Sequence, residues 1–163
     1  MNKFDTLFLD RDGVINRKIE SNYVLKFSDF IFMPGALIAI KKLTSIFNRT
    51  LVVTNQQCIG KGLITECELE EIHKKMINEI ESKGGKIDKI YFCPCLESED
   101  CECRKPKSGM IIKALRDFPD IDINTSFLVG DSISDIQAGN SQGLHTIKVD
   151  NEYTLFSWYN DFK

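Results

Sequence analysis

Two carboxylates one residue apart, Asp10 and Asp12, follow a short apolar run and precede a glycine in Thr6-Leu7-Phe8-Leu9-Asp10-Arg11-Asp12-Gly13. A strand ending in Asp-x-Asp sets acids just beyond its carboxyl end, where open α/β sheets bind ligands. Hard cations take oxygen ligands, and Mg²⁺ is commonly held by one or two carboxylates together with a phosphate. A carboxylate there can also attack phosphorus and carry the phosphoryl group as an aspartyl-phosphate. The plain alternative is a solvated turn, since Asp and Gly are common turn residues. The company these acids keep decides between the two.

Three further groups have the same setting. Thr54-Asn55-Gln56 follows the apolar run Leu51-Val52-Val53, and Gly130-Asp131-Ser132 follows Phe127-Leu128-Val129, with Asp135 close by. Arg104-Lys105 stands before the helical pattern that precedes this last strand. The acids suit Mg²⁺, while Thr54, Asn55 and Lys105, with Gln56 beside them, can neutralise and orient phosphoryl oxygens. A separate cluster is Cys93-Pro94-Cys95 and Cys101-Glu102-Cys103. Four thiolates so spaced can close a tetrahedral Zn²⁺ site, structural because no position is left for water. Its alternative is two disulfide-like pairs or unrelated buried thiols. His73 lies beside Lys74 and Lys75 and reads as a solvated residue, and Cys58 as a packed small thiol. Arg11 can pair with a carboxylate facing away from substrate.

The elements that must position these groups alternate. Strands are expected at residues 6–9, 51–53, 90–92, 127–129 and 146–149. Between them lie helical patterns: one from Pro34-Gly35 with Leu37, Ile40, Leu43 and Phe47 on one face, and one opened by Thr65 and Glu68 as a capping box, with Leu69, Ile72, Met76 and Ile80 inward. Ser108 can cap a third, with Met110, Ile111, Ala114, Leu115 and Phe118 inward, and a fourth runs from about Ser134 to Gln142. Strand–helix alternation predicts a doubly wound, mostly parallel Rossmann-like α/β sheet with helices on both faces. The polar stretch Asn16–Asp29 is long for a connection and reads as a binding loop. The aromatic tail Asn151–Lys163 is expected to pack on the domain edge.

The 163 residues, 42% of them hydrophobic, suit one domain over 1–163. A net charge of -3 argues against nucleic acid as the main partner. With no membrane-length apolar run and no signal-peptide pattern at the N-terminus, a cytoplasmic protein is expected, where cysteines serve metals or reactive roles more than disulfides.

The order Asp10-Arg11-Asp12-Gly13-Val14, Thr54-Asn55, Lys105-Pro106 and Gly130-Asp131-Ser132 through Asp135 resembles the four-motif signature of haloacid dehalogenase (HAD) superfamily phosphatases, from about Phe4 to Val149. The resemblance implies Asp10 as nucleophile and Asp12 as general acid/base. It implies a transferring phosphate on Thr54 and Lys105, and Mg²⁺ on Asp10, the Asp12 backbone carbonyl and Asp131. Leu9–Asn16, Thr54-Asn55-Gln56 and Cys103–Pro106 resemble the subgroup that acts on heptose bisphosphate and histidinol phosphate, which lacks a large cap domain. Asn22-Tyr23-Val24, Gly60-Lys61-Gly62 and Lys105–Met110 lean toward heptose bisphosphate; the short cysteine loop leans toward histidinol phosphate. The second zinc ligand in that subgroup is usually histidine, and Cys95 stands here. The expectation is therefore a monomeric Mg²⁺-dependent sugar-phosphate phosphatase with a structural Zn²⁺ and with Arg104 meeting substrate. A zinc-stabilised binding module without catalysis is the alternative, and the intact Asp10, Asp12, Lys105 and Asp131 argue against it.

Overall fold

Each apolar run becomes a strand in the computed structural model, which describes residues 2–163. Among these residues, β1 (Phe4–Leu9), β2 (Phe47–Asn55), β3 (Lys89–Cys93), β4 (Phe127–Gly130) and β5 (His145–Lys148) form one sheet in the order β3-β2-β1-β4-β5. Every pairing is parallel. The helices are α1 (Ala36–Thr44), α2 (Glu66–Ser82), α3 (Gly109–Asp117), α4 (Ile133–Ser141) and α5 (Leu155–Phe162). None is long and apolar enough to cross a membrane.

The two-residue period of a strand divides the core between the faces of the sheet. Leu7 and Leu9 join Val52 and Val129 beneath α1, α2 and α5, packing on Ile40, Leu43, Leu69, Met76 and Trp158. Phe8 joins Leu51, Val53 and Leu128 beneath α3 and α4, with Met110, Ile111, Ala114 and Ala138. Fully burying one such large apolar side chain stabilises the fold by about 1.5–3 kcal/mol. The central strands β1, β2 and β4 therefore have no solvent face, and their ends are rigid places for chemistry.

The elements depart from the sequence reading in two places. Phe47, read as part of the first helical face, begins β2, and the helix ends at Thr44. Phe47 pairs in register with Phe4 and its ring lies 5.5 Å from that of Phe4, so strand pairing wins over helical spacing. Ser108 precedes α3 but makes no side-chain cap; its hydroxyl accepts from Gln142 Nε2 at 2.9 Å instead. The capping box of Thr65 and Glu68 on α2 forms as expected. The aromatic tail becomes α5, packed on α1, with Trp158 and Phe162 against Phe127.

Candidate active site

The chain leaves β1 at Leu9 and turns at once. Asp10 N–H donates to Val129 O, which ties the first acid to the end of β4, and Arg11 O accepts from the N–H groups of Val14, Ile15 and Asn16. Gly13 makes this turn possible twice over. Its φ of +88° suits glycine, and a Cβ there would overlap the Asp131 carboxylate. Asp131 follows β4, and Thr54-Asn55 closes β2, so the four motifs meet at one end of the sheet. A cavity of about 240 Å³ opens there, walled by Asp10, Asp12, Asn55, Gln56, Arg104, Lys105 and Asp131, with Lys18 and Tyr23 from the long loop above.

Lys105 is the centre of charge. Its buried ammonium donates to Asp10 Oδ1 at 2.9 Å, to Val53 O at 2.9 Å and to Asp135 Oδ1. Burial alone would lower its pKa, but Asp10 and Asp135 outweigh that and raise it, so the lysine stays charged. Asn55 sets its backbone: Oδ1 accepts from Lys105 N–H at 3.1 Å, and Nδ2 donates to Lys105 O at 3.3 Å. Asp135, which the sequence placed only near the site, is 1% exposed and central to it. Its second oxygen caps α4 by accepting from Ser132 N–H and Oγ, so one carboxylate holds both a helix start and the lysine.

Asp10, Asp131 and Asp135 offer oxygens within 4.8 Å of one another. Burial pushes the Asp10 carboxyl well up; Lys105 pulls it down, and Asp135 and Asp131 push it up again. Burial also raises Asp131, opposed by Lys18, whose Nζ lies 3.7 Å from it. The site thus carries more negative charge than its lysine offsets. An oxygen-rich, over-acidic cluster is what a divalent cation such as Mg²⁺ fits.

Asp12 is held differently. Oδ1 accepts from Arg11 Nη2 and Asn16 Nδ2, both at 2.9 Å, and Oδ2 from Gln56 Nε2 at 2.9 Å. Burial would raise its pKa, yet Arg11 and these hydrogen bonds hold it below the usual carboxylate range. Gln56 also donates to Thr54 Oγ1, leaving the Thr54 hydroxyl proton for another acceptor. Arg104 reaches Cys95 O from the cavity wall.

His73 is the clear correction. Its place beside two lysines suggests a solvated residue, but it is 5% exposed on the inner face of α2, with Nε2 3.0 Å from Arg11 Nη1. Helical spacing puts it one residue past Ile72 and three before Met76, inside the buried stripe. Cys58 is a packed thiol as expected.

The cysteine loop brings all four sulfurs together. They pair as disulfides, Cys93 with Cys103 and Cys95 with Cys101, and the two pairs touch, with Cys95 Sγ and Cys103 Sγ 3.9 Å apart. Arg104 N–H donates to Cys101 O at 3.0 Å, so the loop runs straight into the cavity wall.

A family model described as HAD-hydrolase-like matches residues 102–155. A Campylobacter jejuni protein named D-glycero-alpha-D-manno-heptose-1,7-bisphosphate 7-phosphatase is 41% identical over 150 residues, covering 92% of this chain and 84% of that one. A Mycobacterium bovis protein of the same name is 42% identical over 135 residues, 83% of this chain and 71% of that one. Among solved structures, a D,D-heptose 1,7-bisphosphate phosphatase from B. bronchiseptica, complexed with magnesium and phosphate, is similar at a TM-score of 0.89 and 30% identity over 97% of both chains.

Proposed function

The chain belongs to the haloacid dehalogenase superfamily of phosphoric monoester hydrolases, and on that footing we propose that it removes the 7-phosphate of D-glycero-D-manno-heptose 1,7-bisphosphate through an aspartyl-phosphate on Asp10. The observation that carries the proposal is Lys105, charged and buried, joining Asp10 to Asp135 beside Asp131 in the wall of a sugar-phosphate-sized cavity. The two named relatives supply the substrate.

Asp10 is the nucleophile. Lys105 holds Oδ1, so Oδ2 bonds to phosphorus as the bond from phosphorus to the sugar oxygen breaks. Asp12 gives its proton to that oxygen. It then takes one from the water that attacks the aspartyl-phosphate, which frees inorganic phosphate and restores Asp10. In the free protein Asp12 is held ionised; a phosphoryl dianion arriving beside it works the other way and favours its protonated form. Thr54 donates to a phosphoryl oxygen and Lys105 neutralises charge there. Asn55 and Gln56 fix Lys105 and Asp12 in place. Mg²⁺ would be held by Asp10, Asp131 and the Asp12 backbone carbonyl, and when bound it neutralises the transferring group.

Reduced, the cysteine loop binds structural zinc. Opening the Cys93–Cys103 and Cys95–Cys101 bonds would free four clustered thiolates, the donor set that zinc takes tetrahedrally. Thiolates select zinc where the carboxylates select magnesium. Residues 1–163 act as one domain, as a monomer in the cytoplasm.

Phosphate release from both anomers of the heptose bisphosphate and from histidinol phosphate tests the reading. The heptose bisphosphate should have the highest kcat/KM, the α-anomer first since both relatives carry it in their names. A higher kcat/KM for histidinol phosphate overturns the substrate. Asp10→Asn should fold normally and lose turnover, because an amide is a far poorer nucleophile and metal ligand. Near-normal hydrolysis by that variant overturns the mechanism.

A further inference from the structure

Arg11 is fully buried, which is rare for arginine; both terminal nitrogens find partners, while Nε has none. Nη2 donates to Asp12 Oδ1 at 2.9 Å and Nη1 to His73 Nε2 at 3.0 Å, while the Phe30 ring lies 5.7 Å from Cζ. Arginine only donates, so Nε2 of His73 must be the lone-pair nitrogen and the ring proton sits on Nδ1. His73 comes from α2, 62 residues along the chain, and faces a groove on the β3 side, separate from the cavity that holds the acids.

A guanidinium beside a carboxylate favours the two-point fork, with both nitrogens on both oxygens. Here the fork is split. His73 takes Nη1, so Asp12 receives a single contact on Oδ1, shared with Asn16, and Oδ2 meets only the Gln56 amide at the cavity wall. We propose that His73 is a positioning residue for the reaction: by holding Arg11 in one-point contact with Asp12, it keeps Asp12 Oδ2 facing substrate for proton transfer. Without that acceptor, Nη1 joins Nε as a buried donor with no partner; the Asp12 carboxylate that Nη2 already holds can take it on Oδ2, and closing the fork turns that oxygen away from the leaving group. The proposal rests on Asp12 being the general acid.

The test compares two leaving groups. A sugar alkoxide needs a proton to depart, whereas p-nitrophenolate leaves without one. His73→Leu should lower kcat/KM for the heptose bisphosphate about tenfold, below the ~10²–10⁴-fold span of one acid/base group, and change kcat/KM for p-nitrophenyl phosphate less than about twofold, because kcat/KM covers the steps through departure of the leaving group and leaves out the water attack that both substrates share. His73→Gln, whose amide oxygen can accept from Nη1, should recover most of the loss. His73→Met gives a second variant without an acceptor should the leucine variant fail to fold. Equal losses on both substrates, no loss on either, or a glutamine variant no better than leucine overturns the proposal. Asp12→Asn should show the same split in kcat/KM more strongly; if it does not, the general-acid reading fails by itself. Any alkyl phosphate the enzyme turns over can replace the heptose bisphosphate, so an error about the sugar leaves the comparison intact.

Discussion

At the scale of the residue, the site works by giving each carboxylate a different neighbour. Asp10 shares a lysine with Asp135, Asp131 stands partly open beside Lys18, and Asp12 lies under Arg11, Asn16 and Gln56. Two single-residue outcomes follow from these surroundings. Arg104 lines the cavity and carries a planar fork suited to a second phosphate. Arg104→Ala should lower kcat/KM for the bisphosphate more than for an aryl monophosphate, as initial rates on both will read; equal losses would remove it from substrate recognition. The second outcome is a pH effect. Burial, and then Arg11, push the His73 imidazole down to about 3. The unfolded chain, with an ordinary value near 6.5, binds that proton more readily, so the neutral ring stabilises the fold above pH 6.5 and loses that contribution as pH falls from there toward 3. Between pH 7 and pH 5 the loss is about 2 kcal/mol. His73→Gln cannot titrate, so urea unfolding at those two pH values should show a smaller drop for the variant by that amount. Parallel drops would mean the ring does not resist protonation.

At the scale of the element, the cysteine loop is the piece most separable from the rest. It leaves β3 at Cys93 and returns to α3 at Gly109, where a Cβ would strike the Glu102 backbone, so loop and helix start pack as one unit. Its products for the site are Arg104 and Lys105. The core beneath α1, α2 and α5 does not run through it, whereas Cys93 belongs to the core beneath α3 and α4 and Cys95, Cys101 and Cys103 pack against that side. Protein purified reduced and without chelator should hold about one zinc per chain, since a Cys₄ set closes one site. Stripping it should raise hydrogen exchange over 93–107 and lower activity while the strands and helices of the α1, α2 and α5 face keep their protection. Zinc far below that level, with full activity in Cys101→Ser, would leave the loop without a metal role.

At the scale of the whole molecule, α5 is what the chain adds after the last strand. Trp158 is buried, its ring 4.8 Å from Phe162 and 6.0 Å from Phe127. Phe162 reaches Phe4 and Phe47 at the starts of β1 and β2. This aromatic cluster closes the end of the sheet opposite the acids. Trp158→Ala should cost about 3–5 kcal/mol, a large share of the roughly 5–15 kcal/mol available to a domain, and lower the urea midpoint with kcat little changed. A loss below about 1 kcal/mol would show that the tail only leans on the sheet.

Much of this protein was determined locally and could be read from the chain. Runs such as Leu51-Val52-Val53 have no polar face and must be buried strands, and the Thr65–Glu68 box starts a helix by bonding its own backbone. Acids and a hydroxyl directly after such runs fall at one end of a parallel sheet because every strand points the same way. What the chain could not decide alone was which groups touch. Phe47 is a strand residue because Phe4 lies beside it, Asp135 is a ligand of Lys105 because α4 starts at the end of β4, and His73 is buried because α2 lies over Arg11. Each of these is settled by a partner 30 or more residues away, and sequence periodicity carries no information about such a partner until the sheet order brings the two together.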